Sequence, residues 1–118
     1  MANDFIRVCT PDIATSLTTI YAVPAGASSA ALESIVIGIT MANKTSSGIT
    51  ASIFIDNEDG SNDVFIVKDA SIPAGASLEV MSGNKLVLQN DGTNGDNLEA
   101  ICSAASSLDV TVSVLEDV

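Results

Sequence analysis

The stretch Val-Pro-Ala-Gly-Ala-Ser at residues 23–28 returns almost unchanged as Ile-Pro-Ala-Gly-Ala-Ser at residues 72–77. Each copy lies between two apolar runs. Proline has no N–H to donate to a β-ladder, so a strand ends there. The glycine two positions later allows a left-handed backbone that other residues resist. The two turns therefore predict a body of two similar halves.

The runs around these turns alternate between apolar and polar residues with the period of a β-strand. In residues 49–56, Ile-Thr-Ala-Ser-Ile-Phe-Ile-Asp, the side chains of Ile53 and Ile55 share one face. Val110 and Val112 share a face in the same way near the C-terminus. We expect all four to belong to the core or to border it.

Eight or nine short strands follow one another at intervals of about ten residues, without a convincing helix. This pattern predicts an all-β fold, an antiparallel β-sandwich. Residues 1–15 are interpreted as an N-terminal arm or edge strand, and residues 16–118 as the sandwich domain. The predicted strands cover residues 5–9, 16–23, 30–40, 48–56, 63–68, 78–81, 85–89, 98–102 and 108–115.

Two local features of the pattern are specific enough to be tested by a structure. In the third predicted strand, Ile35, Ile37 and Ile39 occur at every second position, which predicts that they share one face. Later in the chain, Ser-Gly-Asn at residues 82–84 separates two short apolar runs, which predicts a tight hairpin.

Two acidic stretches, residues 56–63 and 91–97, resemble calcium loops in composition. Their spacing differs from that of an EF-hand loop, and no helix is expected on either side. Asn, Asp and Gly also tolerate the left-handed conformations of turns. Both stretches are therefore interpreted as hairpin tips, and the sequence predicts neither a metal nor a cofactor.

The composition argues against the common forms of catalysis. The chain has 118 residues, enough for one domain, and contains no His and no Trp. Without His, neither a Ser-His-Asp nor a Cys-His arrangement can form, and no P-loop lysine motif occurs. Apolar residues make up 47% of the chain but aromatic residues only 3%, so the core must be aliphatic. We expect a protein that is not an enzyme.

The charge argues against nucleic acid and anionic membranes as partners. Four basic residues stand against 15 acidic ones, for a net charge of −11. Binding to phosphate groups depends on clustered Lys and Arg, which this chain lacks. No signal peptide is visible, so synthesis in a cytoplasm is expected. Cys9 and Cys102 both lie in apolar runs and are predicted to be buried free thiols.

Several stretches resemble small virion structural proteins of tailed bacteriophages. The resemblance is carried by residues 17–27, 72–80, 83–88 and 103–110, with an acidic end at residues 115–117. It implies a β-rich, non-enzymatic component of a virion, made in the host cytoplasm. It also implies contacts with the major capsid protein or other virion proteins, and it supplies no catalytic residue. A homo-oligomer is expected separately, because many short strands leave sheet edges that must pair or be blunted, and identical chains usually associate with closed symmetry.

The resemblance leaves the position on the virion open. A capsid decoration (cement) protein, bound to the outer capsid lattice, is the first interpretation, because acidity on the exterior is not opposed by packaged DNA. A tail, neck or baseplate component is the alternative. A carbohydrate-binding module at a fibre tip ranks third, because sugar sites usually present aromatic faces and this chain has only Phe5, Tyr21, Phe54 and Phe65.

The candidate contact with a partner is the apolar part of the N-terminal segment. Phe5, Ile6 and Val8 are apolar, yet they precede the repeated body of the domain. As an arm, this segment would contact a neighbouring protein. As an edge strand, it would complete a sheet of its own domain.

Overall fold

Two antiparallel sheets pack face to face in the computed structural model, which describes residues 3–57, 64–81 and 85–117. These ranges contain β1 (Asn3–Thr10), β2 (Thr18–Ala22), β3 (Leu32–Asn43), β4 (Ile49–Asp56), β5 (Val64–Ile72), β6 (Ser77–Glu79), β7 (Leu86–Asn90), β8 (Asn97–Cys102) and β9 (Leu108–Asp117). The five-stranded sheet has the order β1-β9-β3-β6, and β7 also pairs with β3. The four-stranded sheet has the order β2-β8-β4-β5. The predicted all-β sandwich is confirmed.

The interior between the sheets is aliphatic, as the composition requires. Ile53, Val110 and Val112 are at most 1% exposed, and Ile55 packs against this core, so the predicted core faces are confirmed. Among the described residues no helix is long and apolar enough to span a membrane. The largest fully buried side chains include Ile13, Ile20, Ile39, Met41, Ile53, Ile72, Leu88, Leu98 and Leu108.

A β-bulge in β3 makes one predicted face wrong. The register with β9 shifts between Val36 and Gly38, so one additional residue is inserted there. Ile35 and Ile37 consequently lie on the outer side, and Ile37 is 40% exposed. Ile39, two residues further on, is completely buried. The alternation continues on both sides of the bulge but with opposite phase.

The predicted hairpin after the second Pro-Ala-Gly turn is also wrong. β6 and β7 do not pair with each other, because both pair with β3. β6 lies along residues 40–42 of β3 and β7 along residues 32–36, so the two short strands follow one another along one edge. The 12 residues of β3 provide the length for both. Residues 82–84, the predicted turn, lie outside the described residues.

The acidic stretch at residues 91–97 contains the tip of a short hairpin, as predicted: Asn90 and Gly95 form an antiparallel bridge, and the Asp91 N–H donates to the Asn94 carbonyl oxygen at 3.0 Å. The stretch joins β7 of one sheet to β8 of the other. The Asp91 carboxylate accepts hydrogen bonds from the backbone N–H groups of Thr93 and Asn94, at 2.8 and 2.7 Å. These bonds, with that of Asn94 the stronger, lower the pKa of Asp91. Residues 58–63 of the other acidic stretch lie outside the described residues.

The 49-residue interval between Pro24 and Pro73 reappears in the topology. When this interval is added to the residue numbers of β2, β3 and β4, the resulting ranges overlap those of β5, β7 and β8, respectively. When each strand is replaced by its counterpart in the other half, the order β2-β8-β4-β5 becomes the same order read from the opposite edge. In the five-stranded sheet, β3 pairs with its own counterpart, β7. Ser52 and Ile101, also 49 residues apart, lie directly opposite each other in β4 and β8. The two halves are thus related by an approximate two-fold axis, and β1 and β9 lie outside the repeat.

Both Pro-Ala-Gly turns carry the chain from an edge of the four-stranded sheet to the five-stranded sheet, but their backbones differ. Gly75 has a φ of +70°, and the Ala76 N–H donates to the Pro73 carbonyl oxygen at 3.1 Å. Gly26 is extended, with a φ of −72°. The predicted left-handed glycine is thus confirmed in the second turn and wrong in the first, where Ser28 and Ser29 have positive φ instead.

The connection from β1 to β2 is held to the rest of the sandwich. Ile13 is completely buried, and its N–H donates to the Leu108 carbonyl oxygen at 2.9 Å. The Lys44 ammonium contacts the carboxylates of Asp12 and Asp109, the latter at 2.9 Å. The hydrogen bond from Lys44, followed by that from the Asp12 N–H, lowers the pKa of Asp109. Residues 3–15 are therefore attached to the sandwich at β1 and again at this connection.

Candidate functional site

Four apolar side chains form a row across the outer face of the five-stranded sheet. Phe5 of β1 lies opposite Leu115 of β9, Leu115 lies opposite Ile35 of β3, and Ile35 lies opposite Val87 of β7. Phe5 is 78% exposed and Val87 57% exposed, and the two central members are half-buried. Neighbouring strands lie about 4.8 Å apart, so this apolar row extends for roughly 14 Å.

The apolar row has polar neighbours along the strands. On one side lie Arg7 and Ser113, which are paired between β1 and β9. On the other side lie Glu33 and Gln89, which are paired between β3 and β7. The bulge in β3 brings Ile37 beside the row and enlarges it. An apolar strip rimmed by polar residues is the usual character of a protein interaction surface.

The strand that carries Phe5 also has an open side. β1 pairs along its whole length with β9, and within the described part of the chain its other side has no strand partner. Unpaired edges can add a strand from another protein unless bulges or charges prevent it. The edge strand β5 contains register shifts beside Lys68 and Asp69. The pairing of β1 with β9, in contrast, contains no register shift, so β1 is the more regular edge.

The three residues proposed as a partner contact are separated by the alternation of β1. Phe5 is on the outer face, in the apolar row. Ile6 and Val8 lie opposite Val114 and Val112, which are buried, so they face the interior and are only half-exposed. Val8 packs against the core. Phe5 is thus the member of the set that is most accessible to a partner.

The other members of the apolar row were missed by the sequence reasoning. Leu115, Ile35 and Val87 lie in different strands, and only the order of the strands brings them beside Phe5. A signal was nevertheless present, because Ile35 and Val87 both lie in runs where consecutive residues are apolar. Such runs place an apolar side chain on each face of the sheet.

A buried polar cluster supports the sheet directly behind the apolar row. Ser34 and Glu116, the chain neighbours of Ile35 and Leu115, point inward and are at most 7% exposed. The Tyr21 hydroxyl, from the opposite sheet, lies 2.8 Å from the Ser34 hydroxyl and donates a hydrogen bond to the Glu116 carboxylate. Burial, and then the hydrogen bond to Glu116, raise the pKa of Tyr21 well above its usual value. This cluster ties the two sheets together beneath the row.

The two cysteines differ in their surroundings, and both are free thiols. Cys102 is buried, as predicted. Cys9 is exposed, so the prediction that it is buried is wrong. The reason is again the alternation of β1, which places Cys9 opposite Thr111 on the same outer face as Phe5. In the described ranges no group of three or more Cys, Asp or Glu side chains is arranged to hold a metal ion.

Comparisons with known proteins find one structural likeness. No family model matches the chain, and no curated protein matches it. A solved structure described as "Bacillus endospore appendages form a novel family of disulfide-linked pili" contains a chain of similar fold. The sequences are 15% identical, the match covers 98% of this chain and 85% of that one, and the TM-score is 0.46.

Proposed function

We propose that this protein is a non-enzymatic structural component of a tailed-phage virion, and that it decorates the outer capsid lattice. The proposal that the protein belongs to a virion is supported by the resemblance to virion proteins in the Pro-Ala-Gly turns and the flanking strands. The observation that carries the mode of action is the apolar row beside an open β-strand edge. Together they provide a surface whose burial against another protein is favourable.

The apolar row is the contact with the capsid in this proposal. Phe5 and Val87 are its most exposed members, and burying an apolar side chain of this size contributes roughly 1.5–3 kcal/mol. The polar rim, with Arg7 on one side and Glu33 on the other, sets the orientation. The net charge of −11 keeps the free protein soluble and suits a basic or neutral partner surface.

Decoration is tested by mixing purified protein with virions that lack it. We expect wild-type protein to bind and the double variant Phe5→Ser/Val87→Ser to lose binding. Leu17→Ser is the matched control, because Leu17 is 56% exposed but lies outside both sheets. Circular dichroism verifies that each variant is folded. Equal binding by the double variant and the control would show that the apolar row is not the contact.

The alternative, a tail, neck or baseplate component, is separated from decoration by the number of copies per virion. Quantitative mass spectrometry of intact particles measures this number. A decoration protein occurs in hundreds of copies, in fixed ratio to the major capsid protein. A few to a few dozen copies would reject decoration and favour the tail. Analytical ultracentrifugation of the free protein tests the homo-oligomer, for which closed symmetry is the usual arrangement.

A further inference from the structure

A recess lies on the outer face of the four-stranded sheet, on the opposite side of the sandwich from the apolar row. Its volume is about 300 Å³. The half-buried Ile101 and the buried Cys102 form the apolar part of its lining. Its polar lining consists of four hydroxyl side chains and one carboxylate, those of Thr15, Thr50, Ser52, Ser103 and Asp69.

The carboxylate of the recess is held in place by an unusual backbone. Asp69 has a φ of +50°, at a shift in the register of β5, and such conformations are concentrated at functional sites. Its N–H donates to the Ser52 hydroxyl oxygen at 2.8 Å, and that hydroxyl, 2% exposed, donates to the Asp69 carboxylate at 3.4 Å. The second carboxylate oxygen accepts from Lys68 at 3.1 Å. Each oxygen retains a further lone pair for a ligand.

The hydroxyl of Ser103 is positioned in a similar way. It accepts a hydrogen bond from the Thr50 N–H at 2.9 Å, and the Ser103 N–H donates to the Thr50 carbonyl oxygen at 2.9 Å. The Ser103 hydroxyl therefore keeps its proton for a ligand oxygen. Donors and acceptors are thus fixed on both sides of the recess.

One exposed aromatic ring, that of Phe65, lies near the recess. Phe54 is two residues from Ser52 on the same face of β4, a distance of about 7 Å. Its ring packs against that of Phe65 on β5, with ring centres 5.6 Å apart and planes at 53°. Phe65 is 51% exposed, and the Lys68 ammonium lies 5.5 Å from its ring centre. Because the same ammonium lies 3.1 Å from the Asp69 carboxylate, the Phe65 ring lies beside the recess, outside the residues that line it.

We propose that this recess binds a neutral sugar ring. A pyranose has hydroxyl groups around its edge, which both donate and accept hydrogen bonds, and C–H groups on its faces, which pack against aromatic rings. The carboxylate and hydroxyls of the lining fit the edge, and the exposed Phe65 beside the recess fits the face of a ring that extends beyond it. The net charge of −11 opposes anionic sugars. This site does not depend on the proposed capsid contact, since it is on the other sheet.

The test is a titration of the full chain with the methyl glycosides of glucose, galactose, mannose and N-acetylglucosamine, followed by amide NMR. We expect at least one to give saturable shifts at residues 50–52, 67–69 and 103. Glucitol, which has the hydroxyls but no ring face, should give none. If no glycoside exceeds glucitol at these amides, the proposal is refuted.

Variants then decide whether the recess is the site. Asp69→Asn should weaken binding at least about tenfold, because it removes a charged hydrogen-bond acceptor, and Asn tolerates positive φ. Phe65→Ala should also weaken it. Phe5→Ala is the matched control, an exposed aromatic on the other sheet, and should leave the affinity unchanged. Wild-type affinity in both recess variants, or equal loss in the control, would overturn the assignment.

Discussion

The first Pro-Ala-Gly-Ala-Ser turn packs against the turn that joins β7 to β8. A single methyl group added at Gly92 tests this contact. Gly92 has a φ of +99°, and a Cβ atom added there would lie 2.1 Å from the Ser29 carbonyl oxygen. Carbon and oxygen normally approach to roughly 3.3 Å, so the two turns would have to separate by about 1 Å. The chain provides a matched control in Gly75, which has a φ of +70° and nothing within 4 Å of an added Cβ.

The expected magnitudes follow from this difference. A left-handed Ala costs roughly 1–2 kcal/mol, so Gly75→Ala should lower the free energy of unfolding by about that amount. Gly92→Ala should lower it by about 3–4 kcal/mol. The Gly92→Ala variant has the same left-handed backbone strain as Gly75→Ala. It also displaces two hydrogen bonds, from the Gly92 N–H to Asn90 and from Asn90 to Val23, each worth about 1 kcal/mol.

Urea unfolding of both variants measures the difference. The fluorescence of Tyr21 is a suitable probe, because this is the chain's single Tyr, the chain has no Trp, and the side chain is buried. Far-ultraviolet circular dichroism provides a second probe of the same transition. Losses in the two variants within about 1 kcal/mol of each other would refute the reasoning, since the packing of the turns would then contribute nothing.

Three further predictions concern the core, the thiols and pH. Ile53→Ala should lower the free energy of unfolding in urea by about 2–5 kcal/mol, because Ile53 is completely buried. Ile37→Ala, at a 40% exposed site, should lower it by less than about 1 kcal/mol, and similar losses in the two variants would mean that the faces are misassigned. A thiol reagent should modify Cys9 in the folded protein and Cys102 only in denaturant, as peptide mass spectrometry would reveal, and equal rates would contradict this. The lysine beside Asp109 lowers the pKa of its carboxyl, so the stability from that pair is present above about pH 4 and is lost as the pH falls further. Asp109→Asn should therefore destabilise the protein at pH 6, and its effect should shrink as the pH falls below about 4, whereas a constant effect would exclude this linkage.

The fold could be predicted from the sequence where alternation is uninterrupted. In β9 every second residue from Leu108 to Val114 is buried, and Ile49, Ala51 and Ile53 of β4 follow the same alternation, so the predicted core positions, including Ile53 and Val112, are correct. The predicted common face of Ile35, Ile37 and Ile39 was wrong, because the bulge beside Ile37 arises from the pairing of β3 with β9 and is not revealed by the apolar alternation. The predicted hairpin was wrong for a related reason, because β6 and β7 both pair with the long strand β3, which is distant from them in sequence.

The candidate site was predictable only in part. Phe5 could be found because an apolar residue near the N-terminus precedes the repeated body. The exposure of Cys9 could not, because an edge strand with one buried side contains apolar residues on both faces. The apolar row and the recess both depend on the order of the strands. That order arises from tertiary contacts between residues far apart in the chain.

The exchange of strands between the two halves has a consequence for how the protein folds. β2 of the first half pairs with β8 of the second, and β4 of the first pairs with β5 of the second, so neither half can complete the four-stranded sheet alone. On the ribosome, the first half must wait unpaired until the second has emerged, and folding dominated by such distant pairings is slow. A chain cut between β4 and β5 should yield two fragments that are each unstructured and that fold only when mixed.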